Sequence, residues 1–421
     1  MKSPAQYRTW LRAALRSEAV LATGLIGLGG VGFAIGNLLL ARALSAPQFG
    51  AVALFLAWCQ IGMIAGTGGL EVATVRHGLH AGEGLLRLLL LVCVPVAVTV
   101  AAAAILISGL EAGLAVAVAV TVLGASTTRV AVAFFQVARR NVQALAIMQL
   151  NNYVLLAVVP LVVYLPAPRS QSIAELVAGG YLLTAAAAWS LAPRMPKAAA
   201  AGKLQPSIVL REGASVVGGQ LAMSVLFQLE RLVIPRNLSI EALASFAAVA
   251  AVAASPFRML QIGISFTLMP RLRRCTERSA IGRLLRQEGL VAAFVALLTG
   301  IVVVLAMPWI HGRLLGGRYE ITRSLTLVVV AVGLVRICES LASSTVNALG
   351  TSRDLLSLNL FAWCAVVVGA GLATYGSRWG LIGVLAGAGL AWLAFTAAGS
   401  LLGSRILRRR KWGQPLTPAA A

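Results

Sequence analysis

Charged residues are scarce in this sequence, and acidic residues are the scarcest of all. Only 11% of the 421 residues are charged, and 13 Asp and Glu stand against 35 Lys and Arg. A soluble globular chain carries about 25% charged residues, because water must solvate its surface. With 59% hydrophobic residues and a mean hydropathy of +0.89, this chain lacks such a surface. Its composition therefore predicts an integral membrane protein.

The side chains that build metal, redox or disulfide sites are also few. The chain has three His and five Cys, and none of the Cys stands in a CxxC or Cys/His spacing. We therefore expect neither a metal site, nor a cofactor, nor a disulfide framework. Long polar loops are missing too, which leaves no room for a separate soluble catalytic domain and disfavours an enzyme.

What the sequence has in abundance is apolar runs long enough to cross a bilayer, which takes about 20 helical residues. Twelve such runs predict an all-α polytopic protein with about 12 transmembrane helices. They lie at about residues 20–40, 51–71, 85–108, 112–135, 145–165, 173–192, 209–233, 242–269, 287–309, 322–346, 355–375 and 379–404.

The net charge of +22 comes from basic residues between the apolar runs, a pattern that orients spans rather than one that binds nucleic acid. With both termini in the cytoplasm, the inner segments hold more than three times as many Lys and Arg as the outer loops. We therefore expect a multi-pass protein of a bacterial inner membrane. Three cytoplasmic segments complete this topology: an amphipathic segment at 1–19, a linker at 193–208 and a basic disordered tail at 405–421.

Two weak repeats suggest that the chain is a duplicated unit. Arg42, Leu44 and Ser45 follow the first span as Arg236, Leu238 and Ser239 follow the seventh, and the tripeptide Gln-Ile-Gly recurs at 60–62 and 261–263. Six spans return the chain to its starting side, so the halves are expected to be parallel repeats. This predicts two six-helix lobes, at 20–192 and 209–404, around a central cavity.

Several short motifs, in order along nearly the whole chain, resemble one transporter family. Leu44, Pro47, Phe49 and Gly50 are similar to a Leu-x-Pro-x-x-aromatic-Gly turn, and Leu314, Gly316 and Tyr319 to a Leu-x-Gly-x-x-Tyr loop. The glycine-rich end of the second span, the acidic residue of the seventh and the proline closing the eighth add to the likeness. The family is the polysaccharide-export branch of the multidrug/oligosaccharidyl-lipid/polysaccharide (MOP) superfamily, which includes the Wzx-type oligosaccharide flippases. Glu230 stands where this family more often has Asp.

The resemblance implies a twelve-helix fold with an alternately exposed cavity and no catalytic reaction. It also implies a cargo of sugars on a polyprenyl diphosphate carrier, flipped for surface polysaccharides such as O-antigen, lipopolysaccharide or exopolysaccharide. The implied partners are this lipid-linked oligosaccharide, membrane lipids and the glycan polymerase machinery.

Ionisable groups within the predicted spans are the candidate site residues. Each costs roughly 2.5–3.5 kcal/mol at a helix centre, so each must face away from lipid or find a partner. Arginine presents a planar fork that matches phosphate oxygens and stays charged. We therefore expect a carrier diphosphate to bind the four arginines within spans, and the neighbouring acids to serve gating or ion coupling. The arginines are Arg129, Arg231, Arg258 and Arg336, and the acids are Glu230 and Glu339.

Structural roles compete with these assignments. Arg336 and Glu339 are three residues apart on one helix face and could simply neutralise each other. Glu230 and Arg231 point about 100° apart on a helix, so one of them could reach the outer interface. Arg129 could likewise reach the cytoplasmic interface. Arg258 has no acid at helical spacing and is therefore the strongest single candidate.

Two other functions stay open at this point. A small-molecule or drug antiporter of the related multidrug branch would ordinarily use a membrane carboxylate to exchange protons for cationic drugs. The surplus of intramembrane arginine over acid argues against cationic cargo. A membrane oligosaccharide polymerase or ligase would need a sizeable outer loop, which the sequence lacks.

Overall fold

The computed structural model describes residues 18–79, 81–164, 169–194, 206–275 and 277–409, and these contain helices but no β-strand. The predicted amphipathic segment up to residue 17, the linker at 195–205 and the tail from 410 lie outside the described residues. The helices are α1 (Glu18–Ala43), α2 (Ala46–Ala65), α3 (Leu70–His77), α4 (Glu83–Ser108), α5 (Ala112–Val137), α6 (Asn141–Tyr164), α7 (Ser170–Leu191), α8 (Pro206–Asn237), α9 (Ile240–Arg274), α10 (Arg278–Trp309), α11 (Arg323–Leu349), α12 (Ser352–Gly376) and α13 (Gly380–Arg409).

The predicted spans are confirmed. Eleven segments of the described chain are long and apolar enough to cross a membrane, and the last of them, 58 residues long, consists of α12 and α13. At 1.5 Å per residue a single helix of that length would be about 87 Å long, far beyond a bilayer. The turn Ser377–Trp379 and Gly380, whose φ is 70°, separate the two helices. The last helix continues to Arg409, past the predicted end of the span at residue 404.

The second predicted span differs from the structure at its C-terminal end. Its helix, α2, stops at Ala65, and the short helix α3 follows after Gly68 and Gly69, whose φ values are 55° and 75°. A Cβ on Gly69 would lie 2.3 Å from the carbonyl oxygen of Gly213. Glycine therefore allows both the left-handed turn and the close approach of two backbones.

Large apolar side chains remain exposed along the spans. Leu106 of α4 is 84% exposed, and Leu305 and Phe294 of α10 are 74% and 69% exposed. Water would penalise such a surface, whereas lipid tails match it. The chain is therefore a multi-pass membrane protein.

The described chain separates into two compact units. Unit 1 contains the described residues of 18–37 and 58–217, and unit 2 contains those of 38–57 and 218–409. The second unit thus includes the end of α1 and the start of α2. The lobe bounds predicted from the repeats, 20–192 and 209–404, and the cavity between them stay predictions.

Small residues let helices pack closely within unit 1. A Cβ on Gly29 would meet Gln149 of α6, one on Gly32 would meet Tyr153, and one on Gly36 would lie 3.0 Å from the backbone nitrogen of Leu156. The glycines at 29, 32 and 36 of α1 therefore serve close helix packing.

In unit 2 the buried Tyr319 connects the loop before α11 to the turn between α1 and α2. The Tyr319 hydroxyl donates a hydrogen bond to the Ala41 carbonyl oxygen at 2.6 Å, and its ring packs edge-on against Phe49. Burial raises the pKa of this hydroxyl to about 12, so it stays protonated as a donor. Arg318 donates to the Arg42 carbonyl oxygen at 3.2 Å. Two of the motifs behind the family resemblance therefore contact each other.

Candidate functional site

Unit 2 brings together five of the six candidate residues on three helices. Glu230 and Arg231 lie on α8, Arg258 on α9, and Arg336 and Glu339 on α11. We call this set the arginine cluster. Helix α11 packs along both α9 and α13, which brings side chains distant in the sequence within reach.

The central contact of the arginine cluster is an ion pair between helices. Arg336 Nη2 lies 2.5 Å from Glu230 Oε1. The glutamate is buried, with 3% of its side chain exposed, and the arginine side chain is 15% exposed. This pair joins α8 to α11. Either charge would be costly in such a buried position without the other.

The carboxylate that bonds Arg336 directly is that of Glu230 and not that of Glu339, three residues away on the same helix. The carboxylate Oε2 of Glu339 instead accepts a hydrogen bond from Gln261 Nε2 of α9 at 3.1 Å, and the same nitrogen donates to the Arg336 carbonyl oxygen at 3.2 Å. Residues three apart share a helix face, but each of these two side chains bonds a partner on a neighbouring helix instead: Arg336 bonds Glu230, and Glu339 bonds Gln261. Arg336 and Glu339 still interact electrostatically across their turn.

A hydroxyl pair extends the contact between α9 and α11. Ser265 and Ser340 lie 2.9 Å apart, and the Ser340 hydroxyl also donates to the Gln261 carbonyl oxygen at 3.0 Å. Together with Gln261 they fix the register of the two helices, as side-chain hydrogen bonds between membrane helices often do.

Two aromatic rings that the sequence analysis did not single out complete the arginine cluster. The guanidinium carbon of Arg336 lies 4.9 Å from the ring centre of Trp392 and 5.3 Å from that of Phe227. The guanidinium carbon of Arg258 lies 5.9 Å from the Phe227 ring. Such faces attract cations and hold the arginine forks in place without neutralising them. No sequence spacing links Trp392 on α13 to Phe227 on α8, so only the fold shows this contact.

Positive charge exceeds negative charge in the arginine cluster. Arg231 is close enough to Arg258, Glu230 and Arg336 to interact electrostatically with each of them. Arg258 is exposed, whereas Glu230 and Glu339 are both buried. The five residues of the cluster thus comprise three guanidinium groups and two carboxylates, a formal charge of about +1 for the set.

The arginine cluster also holds unmet hydrogen-bonding capacity. Three buried atoms of the cluster and of the ring beside it have no hydrogen-bond partner in the described part of the chain, namely Arg336 Nε, Glu339 Oε1 and Trp392 Nε1. Buried polar atoms are nearly always paired, so a group of such atoms indicates a place where polar ligand atoms or water are accommodated.

Arg129, the sixth candidate, lies in unit 1 in a different environment. Its Nε and Nη2 donate to the two carboxylate oxygens of Glu71 at 3.0 and 2.8 Å. The side chains are 25% and 11% exposed. This two-point pair links α5 to α3 and gives Arg129 a structural role that the sequence analysis missed. Its part in cargo binding stays a prediction.

Within the described ranges, no three His, Cys, Asp or Glu side chains converge in a way that could hold a metal ion.

Comparison with known proteins gives matches by structure alone. No protein-family model matches the sequence, and no curated protein matches it either. An inward-facing multidrug resistance MATE family transporter of the MOP superfamily matches with a TM-score of 0.66 at 15% identity, over 93% of this chain and 98% of the other. This chain has the same fold as that transporter.

Two further structures agree with that assignment. The lipid II flippase MurJ, in an inward closed conformation, has a TM-score of 0.65 at 13% identity, over 92% of this chain and 86% of its own. The eukaryotic MATE transporter AtDTX14 has a TM-score of 0.62 at 14% identity, over 94% and 95% of the two chains. The likeness therefore includes both a drug-transporter branch and a flippase branch.

Proposed function

We propose that this protein is a transporter that flips oligosaccharides linked to a polyprenyl diphosphate from the inner to the outer leaflet. The single observation that carries the proposal is the net positive arginine cluster on membrane-spanning helices of unit 2. In this proposal the cargo serves surface polysaccharide biosynthesis and crosses by alternating access.

Physical chemistry connects such a cluster to such a cargo. A carrier diphosphate bears about two negative charges, which a low-dielectric slab repels strongly unless cations accompany them. Guanidinium groups match phosphate oxygens with two parallel hydrogen bonds and stay charged at every physiological pH. Arg258 is exposed, and its guanidinium group lies over the ring of Phe227. The guanidinium group of Arg258 is therefore accessible from outside the helices.

A drug antiporter is the second candidate, since MATE transporters are among the structural neighbours. A binding site for cationic drugs would need a surplus of carboxylate, whereas the arginine cluster has a surplus of guanidinium. A membrane polymerase or ligase is a weaker third candidate, because the connections between the described helices are short. The charge of the cluster therefore favours an anionic cargo.

One reconstitution experiment distinguishes the flippase from the drug antiporter. Purified protein in liposomes should move a fluorescent polyprenyl diphosphate oligosaccharide between leaflets and should not drive accumulation of a cationic dye. Arg258→Ala should reduce flipping by about tenfold or more, because one strong charge-assisted contact is lost. Arg353→Ala, at the exposed start of α12, is the matched control and should flip normally. Dye transport without flipping would reject the proposal in favour of the antiporter.

The proposal includes the location of the chain. We place it in a bacterial inner membrane with both termini in the cytoplasm, because basic residues are concentrated in the segments that this topology puts inside. Single cysteines at positions 169 and 313 should react with an impermeant reagent from outside, and one at position 273 only after permeabilisation. The reverse pattern would invert the topology.

A further inference from the structure

The exposed face of α10 changes from charged to apolar within about one turn. Arg283 and Arg286 are exposed near the start of the helix, and Leu290 follows Arg286 on the same face. From there on the face is an exposed apolar stripe that ends at Trp309. The stripe consists of Leu290, Val291, Phe294, Leu297, Leu298, Ile301, Val302 and Leu305. The helix thus offers lipid one continuous surface with a charged end.

The length of this surface indicates how deep the arginines lie in a bilayer. The helix rises about 35 Å between Arg286 and Trp309, at 1.5 Å per residue. The hydrocarbon core of a bilayer is about 30 Å thick, and exposed tryptophans such as Trp309 are typical of its boundary. Arg286 therefore lies at the opposite boundary, at the depth of the lipid phosphates, and Arg283 lies about one turn further out.

The charges of these two arginines are not neutralised by an acid of their own helix. Glu288 is the one acidic residue of α10, and it forms an ion pair with Arg271 of α9. Among the described residues, neither Arg283 nor Arg286 has a hydrogen-bond or ion-pair partner. Because they are three residues apart on one face, both guanidinium groups can reach the same phosphate. The ammonium of a zwitterionic head group would find Glu288 already paired.

Helix α4 of unit 1 has a similar apolar face with a neutralised end. Leu91 is 72% exposed and follows Arg87 by four residues, as Leu290, 61% exposed, follows Arg286. Arg87, however, bonds Glu83 at 2.6 Å. The two helices therefore differ at this boundary in whether the arginine has a counter-charge.

We propose that Arg283 and Arg286 form a binding site for an anionic phospholipid at the membrane boundary of α10. The two guanidinium groups hold the phosphate of the head group, and the acyl chains lie along Leu290, Phe294 and Leu297. The site selects a head group with a net negative charge, such as phosphatidylglycerol, over a zwitterionic one. In the proposed topology this lipid belongs to the inner leaflet. The inference goes beyond the proposed function and does not depend on the cargo.

Site-specific photo-crosslinking tests this inference with the full chain in lipid nanodiscs. The photo-reactive residue benzoylphenylalanine replaces Leu290 in one variant and Leu91 in another. The nanodiscs contain phosphatidylglycerol and phosphatidylethanolamine in equal amounts and with identical acyl chains, and mass spectrometry identifies the captured lipid. Position 290 should capture phosphatidylglycerol at least about threefold more often than phosphatidylethanolamine. Position 91 should capture the two lipids about equally, because Arg87 is paired with Glu83.

Variants in the background of the probe at position 290 assign the preference to the two arginines. Arg283→Gln combined with Arg286→Gln should bring the capture ratio close to 1, whereas Arg353→Gln, at the exposed start of α12, should leave it unchanged. Equal capture of both lipids without these substitutions, or an unchanged ratio in the double variant, would overturn the inference.

A soluble competitor distinguishes a lipid from a free phosphate as the source of the ligand. Glycerol phosphate should not reduce capture at position 290, because the bilayer holds lipid head groups beside the site at a high effective concentration. Displacement of the lipid by glycerol phosphate would overturn the assignment to a phospholipid. None of these measurements involves the cargo, so failure of the proposed function would leave their outcome unchanged.

Discussion

Arginine within the long apolar helices has two different surroundings in the two units of this molecule. In unit 1, Arg129 meets both oxygens of Glu71 in one two-point pair, so each charge has its own counter-charge. In unit 2, Arg336 pairs with Glu230 while Arg231 lies close to both of them and to Arg258, and buried polar atoms have no partner among the described residues. The same residue type thus forms a closed pair in one unit and an incompletely neutralised cluster in the other.

The difference shows which property of a membrane arginine indicates function. The presence of arginine in a span does not by itself separate Arg129 from Arg258, since both cost free energy to insert. What separates them is their surroundings: Arg129 forms a two-point pair with Glu71, whereas Arg258 lies over the Phe227 ring and close to a second arginine, Arg231. An excess of guanidinium groups needs a further anion, and in this protein we propose that the cargo supplies it.

The largest expected effect tests the closed pair of unit 1. Arg129→Ala leaves the Glu71 carboxylate buried without its counter-charge, so it should lower the free energy of unfolding by about 3–5 kcal/mol. Thermal unfolding in detergent measures the loss. The double variant Arg129→Met with Glu71→Leu should recover most of the stability, because an apolar pair of similar size needs no counter-charge. If Arg129→Ala were as stable as wild type, the pair with Glu71 would not stabilise unit 1, and the contrast between the two units would not hold.

A smaller effect tests how Glu339 is held in unit 2. Gln261→Ala removes the donor to the Glu339 carboxylate and to the Arg336 carbonyl oxygen, so it should cost about 1–3 kcal/mol of stability. Gln287→Ala, at an exposed position of α10, should change little in the same unfolding experiment. Equal stability of the two variants would indicate that Arg336, rather than Gln261, holds the glutamate.

The smallest effect tests a contact of unit 2 that lies outside the arginine cluster. Tyr319→Phe removes the hydrogen bond to Ala41 and keeps the ring against Phe49, so it should cost about 1 kcal/mol. Tyr375→Phe, at an exposed tyrosine of α12, is the matched control for the unfolding measurement. Flipping per folded molecule should stay unchanged in Tyr319→Phe. A tenfold loss of flipping would extend the functional region beyond the cluster.

The helices were predictable because apolar runs of spanning length leave a chain in a bilayer few alternatives. The interruption of the second span was not, because its end depends on left-handed glycines at 68 and 69 packed against Gly213, far along the chain. The predicted start of the tail at residue 405 also differs from the structure. The last helix continues through the arginines near residue 405 to Arg409 instead of ending before them.

The members of the candidate site were predictable, but their partners were not. A polar residue within an apolar run is visible in the sequence, and this found Glu230, Arg336 and Glu339. Helical spacing then suggested a pair within α11, whereas the observed pair joins α8 to α11 across 106 residues. Contacts between residues so far apart in the sequence result from tertiary packing, which the local spacing of residues does not reveal. The same holds for Trp392, whose contact with Arg336 depends on the packing of α11 along α13.

The central claim is that the arginine cluster of unit 2, and not Arg129 of unit 1, binds an anionic head group. A structure of the protein with a bound polyprenyl diphosphate oligosaccharide tests it most directly. We predict phosphate oxygens within about 3 Å of guanidinium nitrogens of Arg258 and Arg336, with the Arg129 pair intact. A diphosphate bound elsewhere, with Arg258 facing hydrocarbon and Arg336 still on Glu230, would contradict the account.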